Sequence, residues 1–378
     1  MPFEIRSWEE ISRSYGCTIL LGNGASIAVS PSFSYGSLLR HAVEQRFLPD
    51  DAQRLFQFFQ TNDFELVLRI VWQASNVNRS LQIPDHRTHA AYVSLRDCLI
   101  QTVRNIHPEY DQVSAHLPSI YQFLKRFSTI ISLNYDLVVY WVMTYGLEIE
   151  DQHVFKDCFI GGGVFSDDWQ RFRQPIGRER STTLVFHAHG SLVLCRNLVE
   201  QELKIHNRDA GLLEAILQLW QSESVVPLFV SEGTWQQKIT SIQNSYYLST
   251  VYREVLKSPR NTLVVYGWGF SEQDLHLLQR MSGTGINRVA VSVFRGDQAY
   301  CNRVFQTIRD TLGWHVEVEF FDSESPGCWI HADQQGLPCP IDLQCQTPHP
   351  EPRTSWCLPL SRCLLPHSLP AGMLTIIR

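Results

Sequence analysis

Three short stretches, far apart in the chain, each set small polar residues directly after an apolar run. They are Leu20-Leu21-Gly22-Asn23-Gly24-Ala25-Ser26, Ser132-Leu133-Asn134-Tyr135-Asp136 and Phe186-His187-Ala188-His189-Gly190-Ser191. Glycines such as Gly22 and Gly24 let the backbone approach a ligand closely, and a turn that opens a helix aims its first N–H groups at an anion such as phosphate. Ser26 would add a hydroxyl. The Asn134 amide can orient a bound group or an attacking water without adding charge, and the His189 imidazole has the ordinary titration range of a base working near neutrality. Plainer roles are open to the same residues. The glycines suit an ordinary strand-to-helix turn, Asn134 suits a turn, and Asp136 suits the N-cap of a helix over 137–143. His187 and His189 fall on the same side of a strand, so either can face a crevice.

An open α/β sheet can bring the three stretches together, since its ligands bind beyond the carboxyl ends of parallel strands where the strand order reverses. Cys17 to Leu21 is a short apolar run ending at a glycine, the pattern of a buried parallel strand. Further strands are predicted at Ser128–Leu133, Thr183–Phe186, Val225–Val230, Thr262–Tyr266, Arg288–Phe294 and His315–Phe321. Strands alternating with helical segments imply a doubly wound, mostly parallel, Rossmann-like sheet. Between the first two strands, residues 36–127 show apolar spacing near 3.6 over Asp51–Phe59, Phe64–Gln73 and Ala90–Ile106, which predicts a helical insertion. Asp63-Phe64-Glu65, Phe155-Lys156-Asp157, and Ser231-Glu232-Gly233 with Lys238 read as solvated faces, with pocket-lining loops as the alternative. Gly161-Gly162-Gly163 reads as a flexible loop.

The motifs, in this order, resemble those of the sirtuin-like NAD-binding superfamily: a Gly-x-Gly-Ala/x-Ser loop, an Asn-x-Asp after a strand and a His-Gly after a later strand. A fourth segment, Val264-Val265-Tyr266-Gly267-Trp268-Gly269-Phe270-Ser271 followed by Asp274, looks like that family's late Gly/Ser loop at the adenosine end. The resemblance covers about residues 15 to 325; Asn23 stands where the family usually carries Ala. A dehydrogenase fingerprint would need glycine where Ile27 stands, and the Gly-Lys-Ser/Thr of a P-loop is missing.

The resemblance implies NAD as substrate, held by Gly22, Asn23, Gly24, Ala25, Ser26, Gly190, Ser191, Gly267, Gly269 and Ser271. The nicotinamide–ribose bond breaks with a neutral leaving group that needs no proton donor. The site must then hold an oxocarbenium-like ribose, place a water and offer a base. Asn134 would orient ribose and water, His189 would be the base, and Asp136 would accept from the nicotinamide carboxamide. His-Gly-Ser being the family pattern selects His189 over His187. The implied activity is hydrolysis of NAD to nicotinamide and ADP-ribose, in a regulated NAD-depleting effector of bacterial anti-phage defence. The alternatives are deacylation or ADP-ribosyl transfer, and a non-catalytic sensor of NAD or an ADP-ribose derivative. Family deacetylases usually carry a four-cysteine zinc module, and its absence here counts against deacylation.

Composition bounds these readings. The 378 residues, 44% of them hydrophobic, suffice for a large core. A net charge of −6 with scattered Lys and Arg shows no stripe of the kind a nucleic-acid footprint needs, so nucleic acid is not the expected partner. The acidic start and the lack of a long apolar run predict no signal peptide, no membrane span and a cytoplasmic location. The six cysteines before residue 335 are isolated and read as buried free thiols, with no metal site. A zinc site at Cys339, Cys345, Cys357 and Cys363 would need spacings unlike any standard knuckle. Residues 335–378 hold eight of the 18 prolines and no periodicity, the pattern of a poorly ordered tail after a single NAD-binding domain over 1–334. Partner protein or self-association would use the helical insertion.

Overall fold

The computed structural model describes residues 2–34, 37–206, 211–230 and 232–332. In chain order the strands are β1 (Ile5–Arg6), β2 (Thr18–Leu21), β3 (Thr129–Ser132), β4 (His153–Lys156), β5 (Phe159–Ile160) and β6 (Val164–Phe165). They continue with β7 (Ser181–His187), β8 (Gly190–Asn197), β9 (Glu202–Lys204), β10 (Val225–Phe229), β11 (Asn261–Tyr266), β12 (Ile286–Val293) and β13 (Glu317–Asp322).

Eight of them form one sheet in the order β1-β13-β12-β11-β2-β3-β7-β4, with every neighbouring pair parallel. The centre of the sheet follows from composition: Thr-Ile-Leu-Leu in β2 and Thr-Ile-Ile-Ser in β3 are buried along their whole length, as strands covered on both faces must be. The chain is a Rossmann-like α/β fold. Its strand order reverses between β2 and β11. From β2 the sheet grows through β3 and β7 on one side, and through β11, β12 and β13 on the other. Gly22, Asn134, His189 and Gly267 all stand just beyond the ends of these inner strands.

The segment Val225–Val230 is a strand, as its apolar run predicts, but it does not join the parallel sheet. As β10 it pairs antiparallel with β8, which pairs with β9, in a separate three-stranded sheet. The helices Leu38–Glu44, Asp50–Phe59, Phe64–Ser80 and His86–Ile106 fill most of the predicted helical region. Phe64–Ser80 packs on His86–Ile106 and on β10, so the insertion and the antiparallel sheet cover one another.

A buried charge network pins that contact. Arg196 of β8, 2% exposed, donates to Glu65 Oε1 at 3.2 Å, to Glu202 Oε1 at 3.3 Å and to the Asn244 carbonyl at 3.2 Å. Glu202 in turn accepts from the Tyr246 and Tyr247 backbone N–H groups at 3.1 and 2.8 Å, capping the helix Tyr246–Arg253. Asp63 and Glu65 are therefore not on a solvated face. Asp63 N-caps Phe64–Ser80 through the Leu66 N–H at 3.2 Å, and burial pushes the Glu65 carboxyl up to about 8 while Arg196 pulls it down.

Lys156 pairs with Glu179 at 2.6 Å and Asp157 with Lys204, so this segment is also tied down. The glycine run 161–163 is no free loop at its last position, because a Cβ on Gly163 would lie 2.5 Å from the Lys204 carbonyl oxygen. Cys98, Cys158, Cys195, Cys301 and Cys328 are buried free thiols; Cys17 is the exception and is disulfide-bonded. Among the described residues no helix is long and apolar enough to cross a membrane, and no His, Cys, Asp and Glu cluster could hold a metal ion. The described residues all fall within one compact unit, Met1–Cys339. The proline-rich stretch 335–378, with its four cysteines, lies outside the described residues.

Candidate active site

A crevice of about 520 Å³ opens where the strand order reverses. Gly22, Asn23 and Gly24 line it from the end of β2, Asn134 and Asp136 from the end of β3, His189 from the end of β7, and Gly267, Gly269 and Ser271 from the end of β11. All four motifs thus meet at one place.

Ala25, Ser26, Gly190 and Ser191 do not line the crevice. Ala25 and Ser26 lie behind the loop in the helix Asn23–Val29, fully buried, with the Trp329 indole N–H bonded to the Ala25 carbonyl at 2.8 Å. Gly190 answers a backbone demand instead: its φ is +76°, and a Cβ there would sit 2.4 Å from the Leu228 carbonyl oxygen. The glycine is what lets β8 meet β10. Ser191 is buried and donates to the Tyr135 carbonyl at 3.4 Å, supporting the Asn134–Asp136 turn from behind.

The glycine loop is built differently from an open phosphate cradle. The Gly24 N–H donates to the Gly267 carbonyl at 2.7 Å and the Ala25 N–H to the Gly22 carbonyl at 3.0 Å, so two first-turn donors are spent inside the protein. Gly267 has φ +67°, and a Cβ on it would fall 2.3 Å from the Ala25 nitrogen; one on Gly24 would fall 2.8 Å from the Gly267 Cα. The glycines interlock two loops. Gly24→Val should therefore lower stability by about 1–3 kcal/mol, as overpacking does, together with any loss of ligand binding. Thermal denaturation of the variant measures this, and an unchanged melting temperature would show that the loops can part at no cost.

Asn134 uses both amide hydrogens on this scaffold, donating to the Gly22 carbonyl at 3.0 Å and to Ser26 Oγ at 2.9 Å. Its remaining hydrogen-bonding atom is the carbonyl Oδ1, an acceptor suited to a hydroxyl or a water. Asp136 takes the plainer role that its spacing allowed. Its Oδ1 accepts from the Val138 N–H at 2.9 Å at the start of the helix Val138–Gly146, and its Oδ2 accepts from Ser26 Oγ at 2.5 Å. Burial pushes its carboxyl upward, against the pull of those bonds.

His189 is 4% exposed and its Nε2 has no hydrogen-bond partner. Burial, and then the nearby Lys238 ammonium, hold it well below its ordinary range, which favours the neutral ring. His187 does not line the crevice. Its Nδ1 lies 3.4 Å from the Asn134 carbonyl oxygen, and its backbone N–H donates to the Tyr247 hydroxyl.

Three further polar residues line the crevice: Glu232 and Lys238, for which the pocket-lining alternative holds over the solvated face, and Asp274, which follows the late Gly/Ser loop. Glu232 accepts from Ser37 Oγ at 2.6 Å and from the Leu38 and Leu39 N–H groups, capping the helix Leu38–Glu44. Lys238, 7% exposed in the helix Trp235–Gln243, donates to Asp274 Oδ1 at 2.7 Å. Asp274 Oδ2 accepts from Ser271 Oγ at 3.0 Å. Trp268, between the two glycines of its loop, also lines the crevice and stacks on Phe270 at 4.2 Å. No spacing rule singles it out.

The profile of a family described as a domain of unknown function, DUF4917, matches residues 19–329. No curated protein matches the chain. Among solved structures it is similar to one described as "Structural Basis for the Mechanism and Regulation of Sir2 Enzymes". The TM-score is 0.30 and the identity 10%, over 80% of this chain and 95% of that one, a superposition too loose to carry function.

Proposed function

The chain belongs to the DUF4917 family, and we propose that it binds NAD in the crevice between β2 and β11 and hydrolyses it to nicotinamide and ADP-ribose. The observation that carries this reading is the meeting of Asn134 and His189 with the glycine loops at the strand-order reversal, the place where open parallel sheets take nucleotides. Asn134 Oδ1 accepts from a ribose hydroxyl or the attacking water. His189 Nε2, unpartnered and neutral, accepts the proton released as water adds to the ribose carbon. Trp268 offers an aromatic face to a ring of the ligand. The carboxylates on the walls favour the cationic character of the ribose as nicotinamide departs.

A binding module that senses NAD would need no buried, unpartnered imidazole, which favours catalysis. Such an activity drains its host's cofactor, so we further propose that it is held low until a signal acts through the helical insertion, as in a defence effector. Purified protein incubated with NAD should release nicotinamide, and overexpression should lower cellular NAD and arrest growth. Growth arrest with NAD unchanged would favour the sensor.

The neutral state of His189 sets the pH dependence. Because its proton affinity in the free protein lies below the ordinary value, the base form is already complete at neutrality and is lost only in strong acid. The profile of kcat/KM, which reports the free enzyme, should be free of an acid limb near pH 6.5. A limb there that disappears in a His189 variant would contradict the assignment.

A further inference from the structure

His189, Asp274 and Lys238 come from three separate segments and share one carboxylate oxygen. Asp274 Oδ1 accepts from Lys238 Nζ at 2.7 Å and lies 3.7 Å from His189 Nε2, too far for a hydrogen bond. The ammonium occupies the acceptor that the imidazole would need. Resting on the NAD reading above, we propose that Lys238 is the anion-binding side chain of the crevice and Asp274 the positioning residue of His189. A ligand phosphate draws Lys238 off Asp274 and hands the carboxylate to the imidazole.

The charges around the crevice support the exchange. Asp136, Glu232 and Asp274 line it, and Lys238 is the one Lys or Arg among the described lining residues, so a pyrophosphate has a single cation to meet. That cation is already in the wall. Asp274 is held to the crevice by Ser271 when the ammonium leaves, so its second oxygen keeps the carboxylate in place. The groups that face His189 are Lys238 from the helix Trp235–Gln243, Asp274 and His276 from the segment after β11, and the Leu133 carbonyl after β3. His276 is also pushed down, chiefly by burial, which disfavours a further positive charge beside His189. Moving Lys238 away removes the cation that opposes protonation and leaves Asp274 to favour it. The base then gains strength only when the phosphate is present, and no covalent change is needed.

The test reads His189 directly. In full-length protein carrying [ε1-¹³C]histidine, the His189 resonance should titrate at least one pH unit higher with saturating ADP-ribose than in the free protein or with adenosine, which lacks the phosphates. Lys238→Met should raise the midpoint in the free protein and weaken ADP-ribose binding at least tenfold, with Lys238→Arg restoring binding in part. Asp274→Asn should abolish the ligand-induced rise while the protein still binds ADP-ribose. Circular dichroism checks that each variant is folded. In turnover, the acid limb of kcat should lie above that of kcat/KM in the wild type and coincide with it in Asp274→Asn. A His189 midpoint indifferent to bound ADP-ribose, or tight ADP-ribose binding by folded Lys238→Met, would overturn the exchange. Failure of the wild type to cleave NAD while the ligand-induced rise persists would overturn the hydrolase reading alone.

Discussion

His189→Ala is expected to lower NAD cleavage by roughly 10²–10⁴-fold, the usual cost of deleting a general base, while the protein stays folded and still binds ADP-ribose. The ring makes no ion pair within hydrogen-bond distance, and its Nε2 has no partner to orphan. The comparison with His187→Ala sharpens the result. His187 sits behind the Asn134 turn and outside the crevice, so its loss should act through positioning and cost less. Nicotinamide release at saturating NAD ranks the two, and the reverse order would move the base to His187. Asn134→Ala should also abolish cleavage, but through two routes at once. It removes the acceptor Oδ1 and also the bonds that hold the Gly22 carbonyl and Ser26. Its loss of rate must therefore be read beside its melting temperature.

Arg196→Ala is expected to destabilise the protein by about 3–5 kcal/mol, because breaking a buried ion pair leaves the other charge uncompensated. The guanidinium bonds Glu65 of the insertion, Glu202 of β9 and the Asn244 carbonyl, so its loss takes a donor from three segments and leaves Glu65 with Arg69, 3.4 Å away on the same helix, as its remaining cation. The sign of the pH dependence follows from Glu65, whose proton affinity is raised chiefly by burial to about 8. The native state then binds more protons than the unfolded chain between the ordinary carboxyl range and that value, so this group's contribution to stability falls as pH rises through the window. Without Arg196 the effect deepens. The deficit of Arg196→Ala should be larger at pH 8.5 than at pH 6, and Glu65→Gln added to it should recover part of the loss. Urea denaturation at the two pH values measures both; a deficit independent of pH would mean that Arg69, already 3.4 Å from Glu65, compensates the carboxylate in the variant.

The sequence makes the inner sheet legible because β2, β3, β7 and β11 are short apolar runs that end in small polar residues. Periodicity cannot name a strand's partner. Val225–Phe229 reads like the central strands, yet its neighbour is β8, a strand hidden in the residues after the His-Gly motif. Asn134 and His189 are legible for the same reason as their strands: they follow directly from them. Glu232 and Lys238 are not, since the crevice acquires them through the packing of Trp235–Gln243 and through a cap on Leu38–Glu44, contacts between segments about 200 residues apart in the case of Ser37 and Glu232. Asp136 shows the opposite limit. Its residue type suits both a cap and a ligand contact, and only the Val138 and Ser26 bonds tell which atoms are already engaged.

The interlock of Gly24 with Gly267 also decides how molecules get in and out. Pulling those loops apart would break the Gly24–Gly267 hydrogen bond and the Gly22 N–H bond to the Tyr266 carbonyl, and would begin to unzip β2 from β11 in the middle of the sheet. That side of the crevice is a fixed jamb. The facing side, with Glu232, Lys238 and the start of Leu38–Glu44, contributes no strand to the parallel sheet and is tied to the crevice by the Lys238–Asp274 bond and by the Val230 N–H bond to the His189 carbonyl, neither of them a ladder bond of that sheet. Exchange of a bound nucleotide is therefore expected to depend on that side, and a cross-link that fixes Ser37 to position 232 should slow it far more than any tie between the glycine loops.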